Sequence, residues 1–511
     1  MKKLFFLAFA HCLLLVAAAQ PSFVNDSLDT YVQKALDGWH IPGVAICVVK
    51  DGKIEMMKGY GVSEAGTNKK VDENTLFGIG SNTKAFTATA LALLDAENLH
   101  AGKAGKFSLD DKVQKWLPDF TLYDPWVAKE ATVRDLLCHR LGFETFQGDF
   151  MYFDSDLSKE EVRQKFAALK PLYSFRSKWG YTNAAFLTAG EVIPKVTGKS
   201  WSEFLKERIF TPLGMNRTIT TTSEMNSATN ICTAHTLTNG VVKKIPYGRL
   251  DNMAPAGSIF SSAADLSKWV LLQLNNGKLN DKEVIPATAI AQTRTPQSIL
   301  GNGGHPYNKS HFALYGLGWF LEEYSGRKIV SHTGGVNGFV TSVCLVPEEK
   351  LGIVVLTNTD ANGFYEALRY EVMDAYLGLP YRAYSNVFLQ RQQQSDKADA
   401  DWLQKKRDTV AMKAKADVPL SALAGTYRHP VYGTMNIAVK EGKAIATFEH
   451  HKGRYATVEP LGGARYLAQF NEALYGNKVW PFTIEKGKVA SATVTVADFV
   501  EFTPYEFVKE K

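Results

Sequence analysis

The chain has 511 residues, which is more than one ordinary domain needs and predicts two or more domains. Hydrophobic residues make up 45% and charged residues 22%, as in water-soluble globular proteins. The net charge of +6 is small for this length, and Lys and Arg are scattered along the chain. The sequence therefore excludes a strongly basic, nucleic-acid-binding protein.

The N-terminus has the pattern of an export signal. Lys2 and Lys3 precede the apolar run 4–16, and the small residues 17–19 follow that run. A basic start, an apolar middle and a small-residue cleavage site are typical of a secretory signal peptide. We expect residues 1–19 to be removed, the mature chain to start near Gln20, and the protein to be periplasmic or secreted. No later run is long and apolar enough to predict a transmembrane anchor.

Four cysteines remain after the predicted cleavage, namely Cys47, Cys138, Cys232 and Cys344. They are far apart in the sequence and lie in apolar or mixed surroundings. Buried free thiols are therefore favoured over disulfides. No His, Cys and Asp residues share the spacing of metal ligands, so we expect neither a metal site nor a cofactor.

The first elements predict a helix followed by a strand hairpin. Residues 27–38 have the apolar spacing of an amphipathic helix. The apolar run 44–49 and the segment 54–60 flank Asp51-Gly52, which is a hairpin turn signal.

The next segment, 77–94, carries the first chemical signal. Gly80 permits a sharp backbone turn, Ser81 stands where a buried helix begins, and Lys84 lies three residues on, on the same helix face. A Lys in an apolar wall is desolvated, which favours its neutral form, and a neutral amine can accept the proton of a nearby Ser. The pattern alone is weak, because a Ser at a helix start is more often a cap and because Ser325 and Lys328 repeat the spacing in a polar turn.

A second signal is Tyr181-Thr182-Asn183, on a loop before the small-residue helix 184–196. Alone, Tyr181 is expected to be a packed aromatic residue, but within an ordered set it gains weight. His139 follows the predicted helix 132–137, where a structural histidine is favoured over a catalytic base.

A third signal is His332-Thr333-Gly334-Gly335, between the strand-like segments 328–331 and 339–347. Another strand is expected at 316–321. The third signal is predicted to lie at an edge of an antiparallel sheet, where its two glycines would let a substrate approach the backbone closely.

The chain changes character after Gly378. Residues 24–378 are predicted to form the first domain, and the polar, charged segment 379–417 is predicted to be a helical linker. Short alternating strands dominate 418–511, which favours a small all-β, barrel-like domain. This domain could bind a partner or cover the cleft as a lid, and no residue decides between the two.

Taken in order, these three signals resemble those of the serine β-lactamase and penicillin-binding protein superfamily, in its class C-like branch. The resemblance covers about residues 27–377, including the segments 136–143 and 255–269. The tail resembles the small β-domain often fused to such hydrolases. The fold implied is α/β (α+β), with an antiparallel sheet flanked by helices and an all-helical subdomain.

The resemblance also implies roles for the residues. Ser81 would form an acyl-enzyme, Lys84 would activate it, and Tyr181 would relay protons to the leaving group. Asn183 would hydrogen-bond the substrate amide or Lys84. Acyl transfer requires such a nucleophile and proton shuttle, together with donors for the oxyanion.

The third signal would bind the substrate. Thr333 would hold a carboxylate or polar group, and the backbone N–H groups of Ser81 and Gly335 would form the oxyanion hole, with Gly334 beside them. His332 stands where many relatives carry Lys. Because His is largely uncharged at neutral pH, efficient penicillin hydrolysis is less expected than hydrolysis of esters or D-residue peptides.

The sequence thus predicts an exported serine hydrolase: an esterase, a D-peptidase or a weak β-lactamase acting on a small molecule or peptide, with peptidoglycan-derived substrates among the candidates. The alternative is a penicillin-binding or peptidoglycan-sensing protein that is acylated and turns over slowly or not at all. The aromatic residues 150, 152 and 153 could line the pocket or pack in the core.

Overall fold

The structure is a computed structural model that describes residues 21–97, 105–305, 307–308 and 310–511. The predicted signal peptide, residues 1–19, lies outside the described residues. In the described part of the chain, no helix is both long and apolar enough to cross a bilayer.

The strands are numbered in chain order. They are β1 Gly43–Lys50, β2 Lys53–Gly61, β3 Phe77–Gly78, β4 His235–Thr238, β5 Val241–Lys244, β6 Phe260–Ser261, β7 Lys278–Leu279, β8 Lys282–Glu283, β9 Ser298–Gly301, β10 Ala313–Tyr315, β11 Phe320–Tyr324, β12 Arg327–Val336, β13 Phe339–Val346, β14 Leu351–Thr357, β15 Gly425–His429, β16 Gly433–Lys440, β17 Lys443–Phe448, β18 Tyr455–Gly462, β19 Arg465–Phe470, β20 Asn477–Glu485, β21 Lys488–Val494 and β22 Tyr505–Lys509.

The α-helices are numbered in the same way. They are α1 Leu28–Trp39, α2 Thr83–Ala96, α3 Val113–Trp116, α4 Pro125–Glu130, α5 Val133–Leu137, α6 Asp149–Tyr152, α7 Lys159–Ala167, α8 Asn183–Gly190, α9 Val192–Thr197, α10 Trp201–Leu205, α11 Thr211–Leu213, α12 Ala254–Gly257, α13 Ala263–Leu274, α14 Ala287–Thr293, α15 Phe364–Tyr376 and α16 Tyr384–Ala411.

Eight antiparallel strands form the main sheet, in the order β2-β1-β14-β13-β12-β11-β10-β9. Its central strands are buried on both faces, so they are continuous apolar runs rather than alternating ones. Alternate residues of β1 face opposite layers. Val44 and Ile46 pack with α1 and α15, whereas Ala45 and Cys47 join the core that contains α2 and α13.

The second domain is a closed antiparallel barrel in which each strand from β15 to β22 pairs with the next and β22 pairs with β15. The polar helix α16 leads to it and buries only Tyr384 and Ser385 among its residues. Phe150 of the short helix α6 joins the two domains. Its ring packs against aromatic rings of the barrel, including Tyr432, Phe448 and Tyr505.

The predicted fold class is confirmed: an antiparallel sheet flanked by helices, a helical region and a barrel domain. The cysteines Cys47, Cys138, Cys232 and Cys344 are buried free thiols, as the sequence favoured. The strand predicted at 316–321 is wrong in its first half, since the chain turns at Gly318, which has a φ of 72°, and β11 begins at Phe320.

The expected edge position of His332–Gly335 needs a correction. Strand β12 is inside the sheet, between β11 and β13. However, β11 pairs with β12 only from Arg327 to Ser331, whereas the pairing with β13 continues to Val336. The half of β12 after Ser331 therefore has a strand neighbour on one side only, and it lies against the turn Gly80–Asn82.

Candidate active site

Ser81 lies in a one-turn 3-10 helix, Gly80–Asn82, that leads directly into α2. It does not cap α2, because the N-cap residue is Asn82 and no side chain makes a capping hydrogen bond there. Gly80 has a φ of 51°, and a Cβ at this position would lie 2.8 Å from the backbone nitrogen of Gly335. A glycine is therefore required for the turn Gly80–Asn82 and β12 to approach so closely.

Lys84 is the second residue of α2 and is fully buried, and its Nζ has three oxygen neighbours. These are Asn183 Oδ1 at 2.5 Å, the Ala256 carbonyl oxygen at 2.7 Å and Ser81 Oγ at 3.1 Å. Amide and carbonyl oxygens only accept hydrogen bonds, whereas a hydroxyl can also donate. A neutral amine would thus use its two N–H bonds on Asn183 and Ala256 and direct its lone pair at the Ser81 hydroxyl.

Electrostatics favour this neutral form. Burial lowers the pKa of Lys84 well below its ordinary value of 10.5, and the nearby Asp149 carboxyl opposes this effect without cancelling it. The arrangement therefore supplies an uncharged proton acceptor next to Ser81.

Tyr181 lines the cavity next to Lys84. Its ring centroid is 4.6 Å from Lys84 Nζ. Its buried hydroxyl has no hydrogen-bond partner of ordinary geometry among the described residues, yet it is close enough to Ser81 for their interaction to lower its pKa. Burial outweighs that interaction and raises the Tyr181 pKa, so the phenol stays protonated at neutral pH.

His139 contacts the loop that carries Tyr181 through a hydrogen bond and a ring contact. The backbone N–H of Thr182 donates to His139 Nδ1 at 3.0 Å, and the His139 ring lies 4.4 Å from the Tyr181 ring. Burial lowers the His139 pKa well below 6.5, which keeps the ring uncharged. The structure supports the structural interpretation of His139 and adds that it orients Tyr181.

Asp149 is a residue of the site that the sequence reasoning missed. Its Oδ2 accepts a 2.6 Å hydrogen bond from Asn183 Nδ2, and its Oδ1 accepts one from the Tyr152 hydroxyl. This fixes the Asn183 amide with its oxygen toward Lys84. Burial raises the Asp149 pKa well above 3.8. No sequence motif marks Asp149, whose segment drew attention only for its aromatic residues.

His332 is buried and both of its ring nitrogens are engaged. Nδ1 lies 2.6 Å from the Thr333 carbonyl oxygen, which can only accept, so Nδ1 carries the proton. Nε2 then accepts from the Tyr315 hydroxyl at 3.1 Å. Burial, with the nearby Lys84 adding to it, lowers the His332 pKa to about 3. His332 is therefore neutral at physiological pH and places no cation in the site.

The residues Thr333 to Gly335 lie beside the turn that carries Ser81. A Cβ on Gly334 would lie 1.9 Å from the Ile79 carbonyl oxygen, so no other residue fits there without a backbone shift. Thr333 and Gly335 flank this contact. Thus the glycine pair places the β12 backbone directly beside the turn that carries Ser81.

These elements enclose one cavity of about 280 Å³. Seven of the eight predicted site residues line it, and the eighth, Lys84, is hydrogen-bonded to the lining residues Ser81 and Asn183. Much of the remaining wall is aromatic, with Phe146, Phe153, Trp179, Phe320 and Phe499. Of the three aromatic residues whose role was open, Phe153 lines the cavity, whereas Phe150 packs into the barrel and Tyr152 binds Asp149.

Comparison with known proteins identifies the family of the chain. A sequence profile described as "Beta-lactamase" matches residues 28–377, and one described as "Domain of unknown function (DUF3471)" matches residues 411–509. Among similar proteins is "Unguisins hydrolase ungD" of Aspergillus violaceofuscus, which is 26% identical over 501 residues, covering 86% of this chain and 84% of that protein. "Protein flp" of Staphylococcus aureus is 27% identical, covering 66% of this chain and 64% of that protein.

The fold is shared with a solved structure, the octameric penicillin-binding protein homologue from Pyrococcus abyssi. The TM-score is 0.59 at 20% sequence identity, with 94% of this chain and 99% of that chain covered. Because the profile match extends over more than half of the sequence, the family is established. The chain belongs to the beta-lactamase family.

Proposed function

We propose that the protein is an exported serine hydrolase that acts through an acyl-enzyme on Ser81. Its substrates would be esters, D-residue peptides or β-lactam-like amides. The observation that carries the proposal is the surroundings of Lys84 Nζ, where two obligate acceptors occupy both N–H bonds of a neutral amine and leave the lone pair for the Ser81 hydroxyl.

Acylation follows from this geometry. Ser81 Oγ attacks the substrate carbonyl carbon while its proton passes to Lys84 Nζ, giving a tetrahedral oxyanion. The backbone N–H groups of Ser81 and Gly335 stabilise that oxyanion. Tyr181 then gives its phenol proton to the leaving nitrogen or oxygen as the carbon–leaving-group bond breaks, and Lys84 returns a proton to Tyr181. Lys84 is neutral again at the end of this step.

Deacylation reverses the roles with water as the nucleophile. Water attacks the acyl carbon and passes one proton to Lys84, the bond from the carbon to Ser81 Oγ breaks, and that proton returns to Oγ. The product is a carboxylic acid, and the site regains its starting protonation. Both halves require Lys84 to be neutral, which burial favours, and to be aimed at Oγ, which Asn183 and, behind it, Asp149 achieve through their hydrogen bonds.

The substrate preference follows from His332. Since this ring is uncharged and both nitrogens are occupied, the site offers no permanent cation for a carboxylate. We therefore favour uncharged esters and amides over penicillins as good substrates. The similarity to a protein named a hydrolase, the Aspergillus relative, supports turnover.

The alternative is a protein that is acylated and then turns over slowly or not at all. The fold likeness to the Pyrococcus abyssi protein, which is described as a penicillin-binding protein homologue, is the reason to test this alternative as well. Pre-steady-state kinetics separate the two functions: continued product release supports the hydrolase, whereas one equivalent of product followed by nothing supports the binding protein.

Mass spectrometry after incubation with a fluorophosphonate and, separately, with a penicillin tests the nucleophile. The expected result is a phosphonyl adduct on the peptide containing Ser81 and none on the peptide containing Ser325, which is the matched control for the motif. An adduct on another residue, or none in the folded protein, would overturn the proposed function.

Export is tested on the protein produced in its native host. The proposal predicts a mature N-terminus near Gln20 in the periplasmic or extracellular fraction. An intact Met1 in the cytoplasmic fraction would refute it.

A further inference from the structure

One wall of the active-site cavity comes from the barrel domain. The segment 496–503, here called the barrel segment, connects β21 to β22 and extends to the site. Its Phe499 lines the cavity, and a Cβ built on Gly335 would lie 3.2 Å from the Phe499 ring. The ring thus stands beside the strand that carries the proposed oxyanion donor.

The barrel segment is anchored to the hydrolase domain on both sides of Asp149. Glu501 is buried and accepts hydrogen bonds from the backbone N–H of Gly148 at 2.8 Å and from that of Phe150 at 3.1 Å. It also accepts a 2.5 Å hydrogen bond from the Tyr432 hydroxyl of the barrel.

A ring contact extends this anchorage. Phe502 stacks on Phe146 with 5.5 Å between ring centroids. Phe499 therefore occupies a fixed position rather than the tip of a free loop, although 40% of its surface remains exposed.

The cavity is suited to an uncharged, apolar group. Among the described residues that line it, none is Lys or Arg and one is a carboxylic acid, Asp149. Both oxygens of that acid are already hydrogen-bonded, to Tyr152 and Asn183. Phe153 meets Phe499 edge to face, with 6.4 Å between their centroids, and the two rings form a corner of the kind that aromatic groups pack against.

We propose that Phe499 is a specificity residue: together with Phe153 it selects substrates whose acyl group carries an uncharged aromatic or large apolar side chain. The inference rests on the proposed function, since it assigns the acyl group of the Ser81 adduct to this corner. It also gives the barrel domain a role in substrate selection that the hydrolase domain does not fill alone.

The test compares kcat/KM for p-nitrophenyl phenylacetate and p-nitrophenyl acetate. Because differences in apolar contact are worth roughly tenfold or more in specificity, Phe499→Ala should lower the phenylacetate-to-acetate ratio about tenfold, and Phe499→Leu should lower it less. Tyr455→Ala is the matched control, since this barrel residue is 39% exposed and does not line the cavity. Its ratio should equal that of the wild type.

The outcomes distinguish the two proposals. If the wild type is labelled by a fluorophosphonate on Ser81 but Phe499→Ala and Phe499→Leu keep or raise the ratio, the specificity proposal is overturned and the hydrolase stands. If the wild type neither reacts at Ser81 nor cleaves either ester, both proposals are overturned. Thermal melting checks that each variant is folded, and the Leu variant keeps the test valid if the Ala variant is not.

Discussion

The chain contains the Ser-x-x-Lys spacing twice, and the two copies have different surroundings. Ser81 and Lys84 lie at a buried helix start, where Nζ faces Ser81 and two obligate acceptors. Ser325 lies in the partly exposed turn between β11 and β12, and Lys328 Nζ donates to the Arg294 carbonyl oxygen at 2.9 Å. The spacing brings the two side chains to one face only where the segment is helical, and reactivity also needs desolvation and acceptors that come from distant segments.

The largest difference in rate is expected between variants of the two serines, Ser81 and Ser325. Ser81→Ala removes the proposed nucleophile, so kcat/KM on a p-nitrophenyl ester panel should fall by about 10³-fold or more. Ser325→Ala should leave every rate unchanged. Equal turnover of Ser81→Ala and wild type would rule out the proposed mechanism.

The next largest difference in kcat is expected between variants of the two lysines, Lys84 and Lys328. Lys84→Met keeps the approximate volume and removes the proton acceptor, which should cost about 10²–10⁴-fold in kcat. Lys328→Met is the matched control and should stay within about twofold of the wild type. Steady-state kinetics on a single ester measure both, and a similar effect of the two substitutions would show that burial of Lys84 has no catalytic consequence.

A smaller effect is expected when Asp149 is changed, because this residue orients Asn183 beside Lys84 and the second copy has no such residue pair among the described residues. Asp149→Ala removes both acceptor oxygens, so the Asn183 amide loses the partner that holds its oxygen toward Lys84. Misplacement of a catalytic group can cost up to about a hundredfold, and we expect roughly tenfold, in kcat rather than in KM. Asp265→Ala, at a buried cap outside the cavity, is the control for a general loss of stability. A KM effect alone would contradict the role given to Asp149.

The smallest expected effect is on the pH dependence of stability. The Lys84 pKa is lowered by folding, so between that value and 10.5 the unfolded chain binds more protons than the native one. The free energy of unfolding should therefore rise with pH in this window. Urea titrations at several pH values should give a shallower rise for Lys84→Met than for the wild type, and equal slopes would refute the lowered pKa.

Much of the fold followed from local sequence patterns. The hairpin of β1 and β2, the helix α1 and the alternating strands of the barrel have the periodicities that such elements require. The strand expected from Gly316 began too early, because an apolar run does not reveal the positive φ at Gly318. The interior position of β12 was missed for another reason, since strand order depends on pairings between distant segments.

In the site, too, some residues are predictable from local sequence patterns and others depend on contacts between distant segments. Ser81, Lys84, Tyr181 and the His332–Gly335 segment are marked by motifs in a fixed order. The supporting residues are not: Asp149 and Glu501 belong to no motif, and they act through hydrogen bonds that only the folded chain makes. Phe499 is separated from Gly335 by 164 positions in the sequence, so its place in the cavity depends on how the barrel packs on the hydrolase domain.

The central claim is that Lys84 is a neutral amine poised to accept the Ser81 proton. The most direct measurement is the pH dependence of the rate at which a fluorophosphonate modifies Ser81. The account predicts a rise with pH whose midpoint lies well below 10.5, and loss of this rise in Lys84→Met. A midpoint at 10.5 or higher, or the same profile in Lys84→Met, would contradict it.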